Sequence, residues 1–355
     1  MRRKKQGRGF SSLKNSKGRN FKAWLYGFIA LLSVLYASIF LWPVVPIHPN
    51  VAGSSSYKVK IEPQSGVRSI AEQLRSQGIL VSAIPFQISA RALFIGSKLK
   101  PGTYLLPTSA SLGTILFQIA RGDSVRETIA IIPGMTIWQL RILVDSHAAL
   151  LHTTKGMSSK ELLQKLNLSY PDLEGVFLPD TYIFDPGESD INIYRRASQA
   201  MNKQLSHAWS QKASISPLKN PYELLVLSSI VEKETGRLSD RELVAAVFTN
   251  RLNKGMLLQT DPTIIYGIGP KFNGNLRKAD LRRDNPYNTY MHKGLPPTPI
   301  AMPSKESIIA ASHPAVSNAL YFVAKGDGSS QFSQSLSEHE AAVDKYQRKL
   351  NRASQ

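Results

Sequence analysis

Cysteine is absent from all 355 residues. That single absence excludes thiol nucleophiles, cysteine-ligated zinc and disulfides, and it makes an oxidising export compartment harmless to the chain. The spacing of a zinc hydrolase is missing as well. Histidines stand at 48, 147, 152, 207, 292, 313 and 339 and form neither an H-E-x-x-H run nor an i, i+4 pair on one helix, so no metal is expected. No G-x-S-x-G elbow is present, although a Ser–His–Asp set assembled from distant residues stays open. No G-x-x-x-x-G-K-[ST] loop cradles phosphate, which argues against nucleotide chemistry. With no cofactor signal, what remains is acid catalysis by a carboxyl group.

Acid is also scarce, with 25 Asp and Glu against 44 Lys and Arg for a net charge of +19. The imbalance is concentrated. Residues 1–22 hold nine bases and no acid, leaving +10 on the rest. From Ala23 to Trp42 no charge occurs, and the uncharged stretch continues to Ser56. Twenty helical residues rise about 30 Å, the thickness of a bilayer's hydrocarbon core. Trp24, Tyr26, Tyr36 and Trp42 put aromatics near both ends, as interface anchors would be. We expect a cytoplasmic tail at 1–22, a single transmembrane helix at 23–43 and a body outside the cytoplasm, oriented by the positive-inside rule. A cleaved signal peptide has a shorter apolar run, although Val51-Ala52-Gly53 offers a small-residue site. A nucleic-acid-binding tail would explain the charge but not the adjacent spanning segment, so no nucleic acid partner is expected.

Pro43, Pro46 and Pro49 with Gly53-Ser-Ser-Ser56 make a linker at 44–56. After it a strand, a proline turn or loop and an amphipathic helix recur three times, at Val59–Leu74, Thr103–Ile119 and Thr128–Leu143. Such units resemble the βαα (LysM-like) modules that grip peptidoglycan glycans; a plain α+β packing unit fits equally well. Residues 57–145 are assigned to this small α/β module, and 146–350 to a mixed α+β catalytic domain, making the fold class α+β. Within the second, Leu173–Tyr182 suits a binding lip or, slightly better, a structural turn.

Leu227, Ile230, Val231 and Glu234 fall at i, i+3, i+4 and i+7 of one helix face. Glu232 sits about 200° round, over Ser228 and Ser229. A carboxyl desolvated against aliphatic groups keeps its proton to higher pH, as a general acid needs. The competing reading is a partly buried Glu paired with an Arg or Lys. Gly236 is expected to end this helix, and Ser239-x-x-Glu242 to open the next as a capping box closed by Gly255. Met256–Pro303 then reads as a long loop rich in Gly, Pro, Asn and Tyr, of the kind that lines a sugar groove. Ser304 opens another helix, Leu320–Val323 is a strand, and Ser337 caps the last helix. A two-carboxylate glycosidase needs a second acid about 5–10 Å away, for which Asp261 is the local candidate. A single acid suffices if it protonates the glycosidic oxygen and then takes a proton from the substrate's own hydroxyl.

Six segments together carry a resemblance: Leu225-Val-Leu-Ser-Ser-Ile-Val-Glu-Lys-Glu-Thr235, Val247-Phe-Thr-Asn-Arg-Leu252, Met256-Leu-Leu-Gln-Thr-Asp-Pro-Thr-Ile-Ile-Tyr-Gly267, Tyr287-Asn-Thr-Tyr290, Gly294-Leu-Pro-Pro297 and Leu320-Tyr-Phe-Val323. With Glu174-Gly and Pro179-Asp-Thr-Tyr182 upstream, the chain over 57–350 resembles the endolytic murein transglycosylases (MltG, the YceG-like family). The resemblance implies non-hydrolytic cleavage between N-acetylmuramic acid and N-acetylglucosamine, leaving a 1,6-anhydro end on nascent strands and so terminating glycan elongation. It implies anchorage in the cell inner membrane, contact with its lipid, a periplasmic catalytic body, and partnership with peptidoglycan synthases (penicillin-binding proteins). The family's acid/base is the second Glu of E-K-E-T, which is Glu234 here. Gln259, Thr260, Asp261, Tyr287 and Asn288 are taken as substrate-binding. Thr249 and Thr298 depart from the family pattern, neither at the catalytic position. The alternative from another class is a catalytically silent, membrane-anchored peptidoglycan-binding scaffold.

Overall fold

The structure, a computed structural model, describes residues 16–41 and 56–348. The tail through residue 15 and nearly all of the expected linker lie outside the described residues. A helix, α1 (Ser16–Leu41), carries the first part of the uncharged run, from Ala23 on. Between Phe21 and Leu35 its apolar side chains are open, with Trp24 71 % and Leu31 65 % exposed. Among the described residues no helix is long and apolar enough to cross a membrane; the expected span 23–43 falls only partly within them.

The remainder separates into two compact units, with the boundary between Arg126 and Glu127. The first contains β1 (Ser56–Ile61), α2 (Val67–Ser76), α3 (Ala83–Ala92), β2 (Gly102–Pro107) and α4 (Leu112–Arg121). β1 and β2 pair antiparallel, Val59 facing Tyr104 and Ile61 facing Gly102. Alternation along β1 turns Val59 and Ile61 inward, onto Ile70 and Leu74 of α2, Phe86 of α3, and Ile115, Leu116 and Ile119 of α4. Ser111 accepts the Thr114 N–H at the start of α4, and Gly122 ends it at φ +80, a conformation costly to a residue with a Cβ.

The second unit opens with β3 (Glu127–Ile131) and α5 (Ile137–Asp145), followed by α6 (Ser159–Leu166), β4 (Asp180–Phe184) and α7 (Asp190–Ser210). β3 pairs antiparallel with β4, Ile129 opposite Tyr182. Each of the three sequence repeats is therefore a strand, turn and helix, but only the first two share a core. The compact units divide at 126, inside the 57–145 stretch assigned to the module, because the third repeat's strand finds its hydrogen-bond partner in β4 and buries Ile129, Ile131, Leu140 and Val144 in the second core.

Next come α8 (Pro221–Glu234), α9 (Arg241–Asn253), α10 (Asp261–Ile268), α11 (Lys278–Leu281), α12 (Lys305–Ser312), the hairpin β5 (Tyr321–Ala324) and β6 (Ser330–Ser333), and α13 (Leu336–Val343). Asn220 caps α8 by accepting the Glu223 N–H at 2.9 Å, and Pro221 sits where no donor is needed. α8 is the central helix, in contact with α7, α9, α10 and α12.

Four local expectations are corrected. α8 ends at Glu234 with Thr235 extended (φ −143, ψ 129), so the helix stops before Gly236 and owes nothing to a glycine cap. The Ser239–Glu242 capping box does not form; Leu238–Asp240 is a 3-10 turn, and Asp240 instead accepts the Ser330 N–H at 2.8 Å. The Met256–Pro303 stretch contains α10, started by Pro262 in its first turn, a signal obscured by the surrounding Gly and Tyr. Ser335, not Ser337, caps α13.

Candidate active site

Because α8 is buried on every side, Ser228 and Ser229 are as inaccessible as Leu227, Ile230 and Val231. Their hydroxyls are satisfied internally, Ser228 by the Leu224 carbonyl and Ser229 by the Val226 carbonyl, while Ser229 also accepts the Ile300 N–H at 3.0 Å. The two glutamates at the helix end are thus separated by what they meet, not by an apolar and a polar face. Glu232, with its side chain 6 % exposed, pairs with Arg241 at 3.3 Å. It also accepts the Ser304 N–H (2.9 Å), the Ser304 hydroxyl and the Ser307 hydroxyl (2.7 Å). This caps α12, whose first turn needs acceptors. The structural ion pair considered for Glu234 is the one Glu232 makes.

Glu234 is the last residue of α8 and faces a cavity of about 550 Å3. Among the described residues no cation lies within ion-pair distance of its carboxyl. Burial holds its pKa above the ordinary carboxyl value; the Thr260 hydroxyl, which donates to Oε1, opposes this, and the charge of Asp261 adds to it. Thr260 is itself 2 % exposed and fixed, its N–H donating to Thr289 Oγ1 at 3.1 Å. Thr289 in turn meets Thr263 Oγ1 at 2.9 Å. A network of three threonines therefore locks the hydroxyl that orients the acid.

Gln259 and Asp261 line the same cavity. Gln259 takes the left-handed conformation (φ +52), with its N–H donating to the Thr289 carbonyl at 3.1 Å. Asp261 Oδ1 accepts the Tyr290 hydroxyl at 2.7 Å. Two of the sequence candidates lie elsewhere. Tyr287 packs on Tyr266, ring centres 4.9 Å apart, and shares a 2.9 Å hydrogen bond with Thr298. Asn288 is 1 % exposed and spends its amide on the carbonyls of Leu281 (3.1 Å) and Arg283 (2.8 Å), holding a turn. Neither contributes to the cavity wall.

The wall includes residues the spacing argument did not single out: Arg251, Tyr290, Tyr321 and His339. Arg251 lies on α9 beside Phe248, and Tyr321 on β5. Segments containing three of the four were visible as motifs, but nothing local shows that α9, β5 and α13 converge on the end of α8. A different cluster, Asp145, His152 and Asp190, has the spacing to hold a metal ion. None of its members lines the cavity, and both Asp190 oxygens already accept from Thr153 and Thr154.

The chain matches the YceG-like family over residues 59–345. It is 31 % identical over 333 residues to a protein named endolytic murein transglycosylase from Bacillus subtilis, covering 88 % of this chain and 89 % of that one. A protein of the same name from Streptococcus pneumoniae is 28 % identical over 362 residues, covering 91 % of this chain and 65 % of its own length. A crystal structure of a yceG-like protein from Listeria monocytogenes superimposes with TM-score 0.52 at 28 % identity, covering 81 % of this chain and 98 % of that one.

Proposed function

The chain belongs to the YceG-like family and is a lytic transglycosylase by its relatives; we propose that it cuts the bond between N-acetylmuramic acid and N-acetylglucosamine within nascent strands, leaving a 1,6-anhydro end and terminating their growth. Glu234 carries the reading. It is a carboxyl with a raised pKa and no cationic partner among the described residues, facing a cavity and aimed by a locked hydroxyl. In its acid form it protonates the glycosidic oxygen as the bond from the muramyl C1 to that oxygen breaks. As a carboxylate it then takes the proton of the muramyl 6-hydroxyl, whose oxygen closes on C1. No water is consumed, and the acid is regenerated. The 2-acetamido group assists at C1, as in substrate-assisted glycosidases. The Thr260 hydrogen bond steadies the carboxylate between the two proton transfers. Gln259 and Asp261 meet the sugar directly, Thr260 acts through Glu234, and Tyr287 and Asn288 contribute by shaping the loop behind them.

The uncharged run beginning at Ala23, behind nine bases and no acid, supports a single-pass inner-membrane anchor with a cytoplasmic N-terminus and a periplasmic body. That position places the enzyme among the synthases that extend glycan strands. The first unit, with its paired repeats, is assigned to glycan binding.

Mass spectrometry of sacculi digested with the purified protein tests the reaction. Anhydro ends are expected. Reducing ends would replace this reading with hydrolysis using Asp261 as a second carboxylate, and no cleavage would leave a binding scaffold. Glu234→Gln should lose the anhydro products by at least about 10²–10⁴-fold while its melting temperature holds.

A further inference from the structure

The cavity wall carries the carboxyl groups of Glu234 and Asp261 and the guanidinium of Arg251. Arg251 is only 7 % exposed, yet among the described residues no carboxylate lies within ion-pair distance of it. Its Nε donates to the Leu320 carbonyl at 2.7 Å. Nη1 is shared among the carbonyls of Leu257 (3.0 Å) and Leu258 (3.1 Å) and the Gln259 side-chain oxygen (3.2 Å). Nη2 has no hydrogen-bond partner among the described residues. The guanidinium carbon lies 5.0 Å from the centre of the Tyr321 ring, which stacks with His339 at 5.2 Å and 22°. His339 Nδ1 is buried without a partner. Removing a cation from water without a counter-ion is costly, and one that borders a cavity is best explained by an anion that enters with the ligand. Backbone carbonyls and a ring face anchor the guanidinium through Nε and Nη1 and leave Nη2 to donate to a carboxylate.

We propose that Arg251, in the cavity wall, binds a carboxylate carried on the muramyl 3-O-lactyl arm. This rests on the murein reading above and specifies which part of the substrate is recognised. A muramyl residue differs from its neighbour in the strand by that arm alone, so a cation placed there tells the two sugars apart and fixes which glycosidic oxygen meets Glu234. The carboxylate has two sources. On a bare strand it is the lactyl acid itself; on a peptide-bearing strand the lactyl carboxyl is an amide, and the acid belongs to the stem peptide.

Binding separates this inference from the reaction. The full chain carrying Glu234→Gln would be titrated calorimetrically with a muramyl tetrasaccharide as the free lactyl acid, as its methyl ester, and with stem peptides attached. The ester is expected to bind at least about tenfold more weakly than the better of the two acids, the scale of one charge-assisted hydrogen-bonded pair. Which acid binds more tightly identifies the source. Adding Arg251→Gln should erase the preference for acid over ester, and so should His339→Glu, which offers Arg251 an internal carboxylate and keeps the loops Arg251 anchors. Equal affinity for ester and both acids overturns the inference, as does a preference that survives in both variants. Absence of cleavage by the unmutated chain would refute the transglycosylase reading and leave this measurement standing.

Discussion

Glu234 is tuned by two neighbours of opposite sign, which gives a paired test. The Thr260 hydroxyl donates to the carboxylate and so favours the charged form; the negative charge of Asp261 disfavours it. Thr260→Val should therefore raise the Glu234 pKa further and move the alkaline limb of the pH–rate profile to higher pH. Asp261→Asn should lower it and move the limb to lower pH. Limbs moving together, or not at all, would mean that the limb reports some other group. Glu232 belongs to a different category. Glu232→Gln leaves Arg241 as an uncompensated buried cation, so a loss of about 3 kcal/mol of stability is expected, read as a lower denaturation midpoint. The position of the pH limb should stay where it is.

Elements here are joined by polar groups that the sequence pattern presents as incidental. Glu174, 0 % exposed, accepts the Ile137 N–H at 2.9 Å in the first turn of α5, and the Tyr266 hydroxyl of α10 reaches the same carboxyl. The turn that delivers it is tight: Gly175 has φ +79, and a Cβ there would lie 2.6 Å from Pro299. Asp172, Tyr222, Tyr266 and Tyr287 are titratable groups that act on it or feel its charge. Burial pushes the Glu174 pKa up to about 8. The folded state thus holds a proton that the unfolded chain releases near the ordinary carboxyl value. Stability is full below that value and falls as pH rises toward 8, by up to about 1.4 kcal/mol per pH unit. Glu174→Gln should flatten the fall, visible as melting temperatures that change less between pH 5 and 8. An unchanged slope would assign the pH dependence to another group.

The whole molecule is organised around two separate cores, and the boundary between them is testable by truncation. A fragment beginning at Glu127 keeps β3 against β4 and should melt cooperatively. One beginning at residue 146 strips away β3 and α5, uncovers the partners of Ile129, Ile131, Leu140 and Val144, and should aggregate or lose cooperative melting. Equal behaviour of the two fragments would return the boundary to 145. Local periodicity could show that the third repeat is a strand, turn and helix, because those depend on neighbours within a few residues. It could not show which strand completes the sheet, because β4 lies far along the chain.

The same division runs through the site. The sequence alone determined the charge asymmetry of the N-terminus, the uncharged run, the mixed α and β elements, and the place of Glu234 in the last turn of a helix, since each is written in residues adjacent or one helical turn apart. Its apolar-face argument singled out Glu234 by an incomplete route, for α8 is buried all round from Leu224 to Val231 and the Glu232 side chain is itself largely enclosed. Only the tertiary structure decided that Glu232 meets Arg241 and the start of α12 while Glu234 meets Thr260 and open space. It alone turned Asn288 inward to hold a turn and brought Arg251, Tyr290, Tyr321 and His339 from separate segments to one wall. The physical reason is range. Helical phase and hydropathy act over a few residues, whereas the pKa of a carboxyl and the fate of an unpaired guanidinium depend on whatever packing brings within a few ångströms.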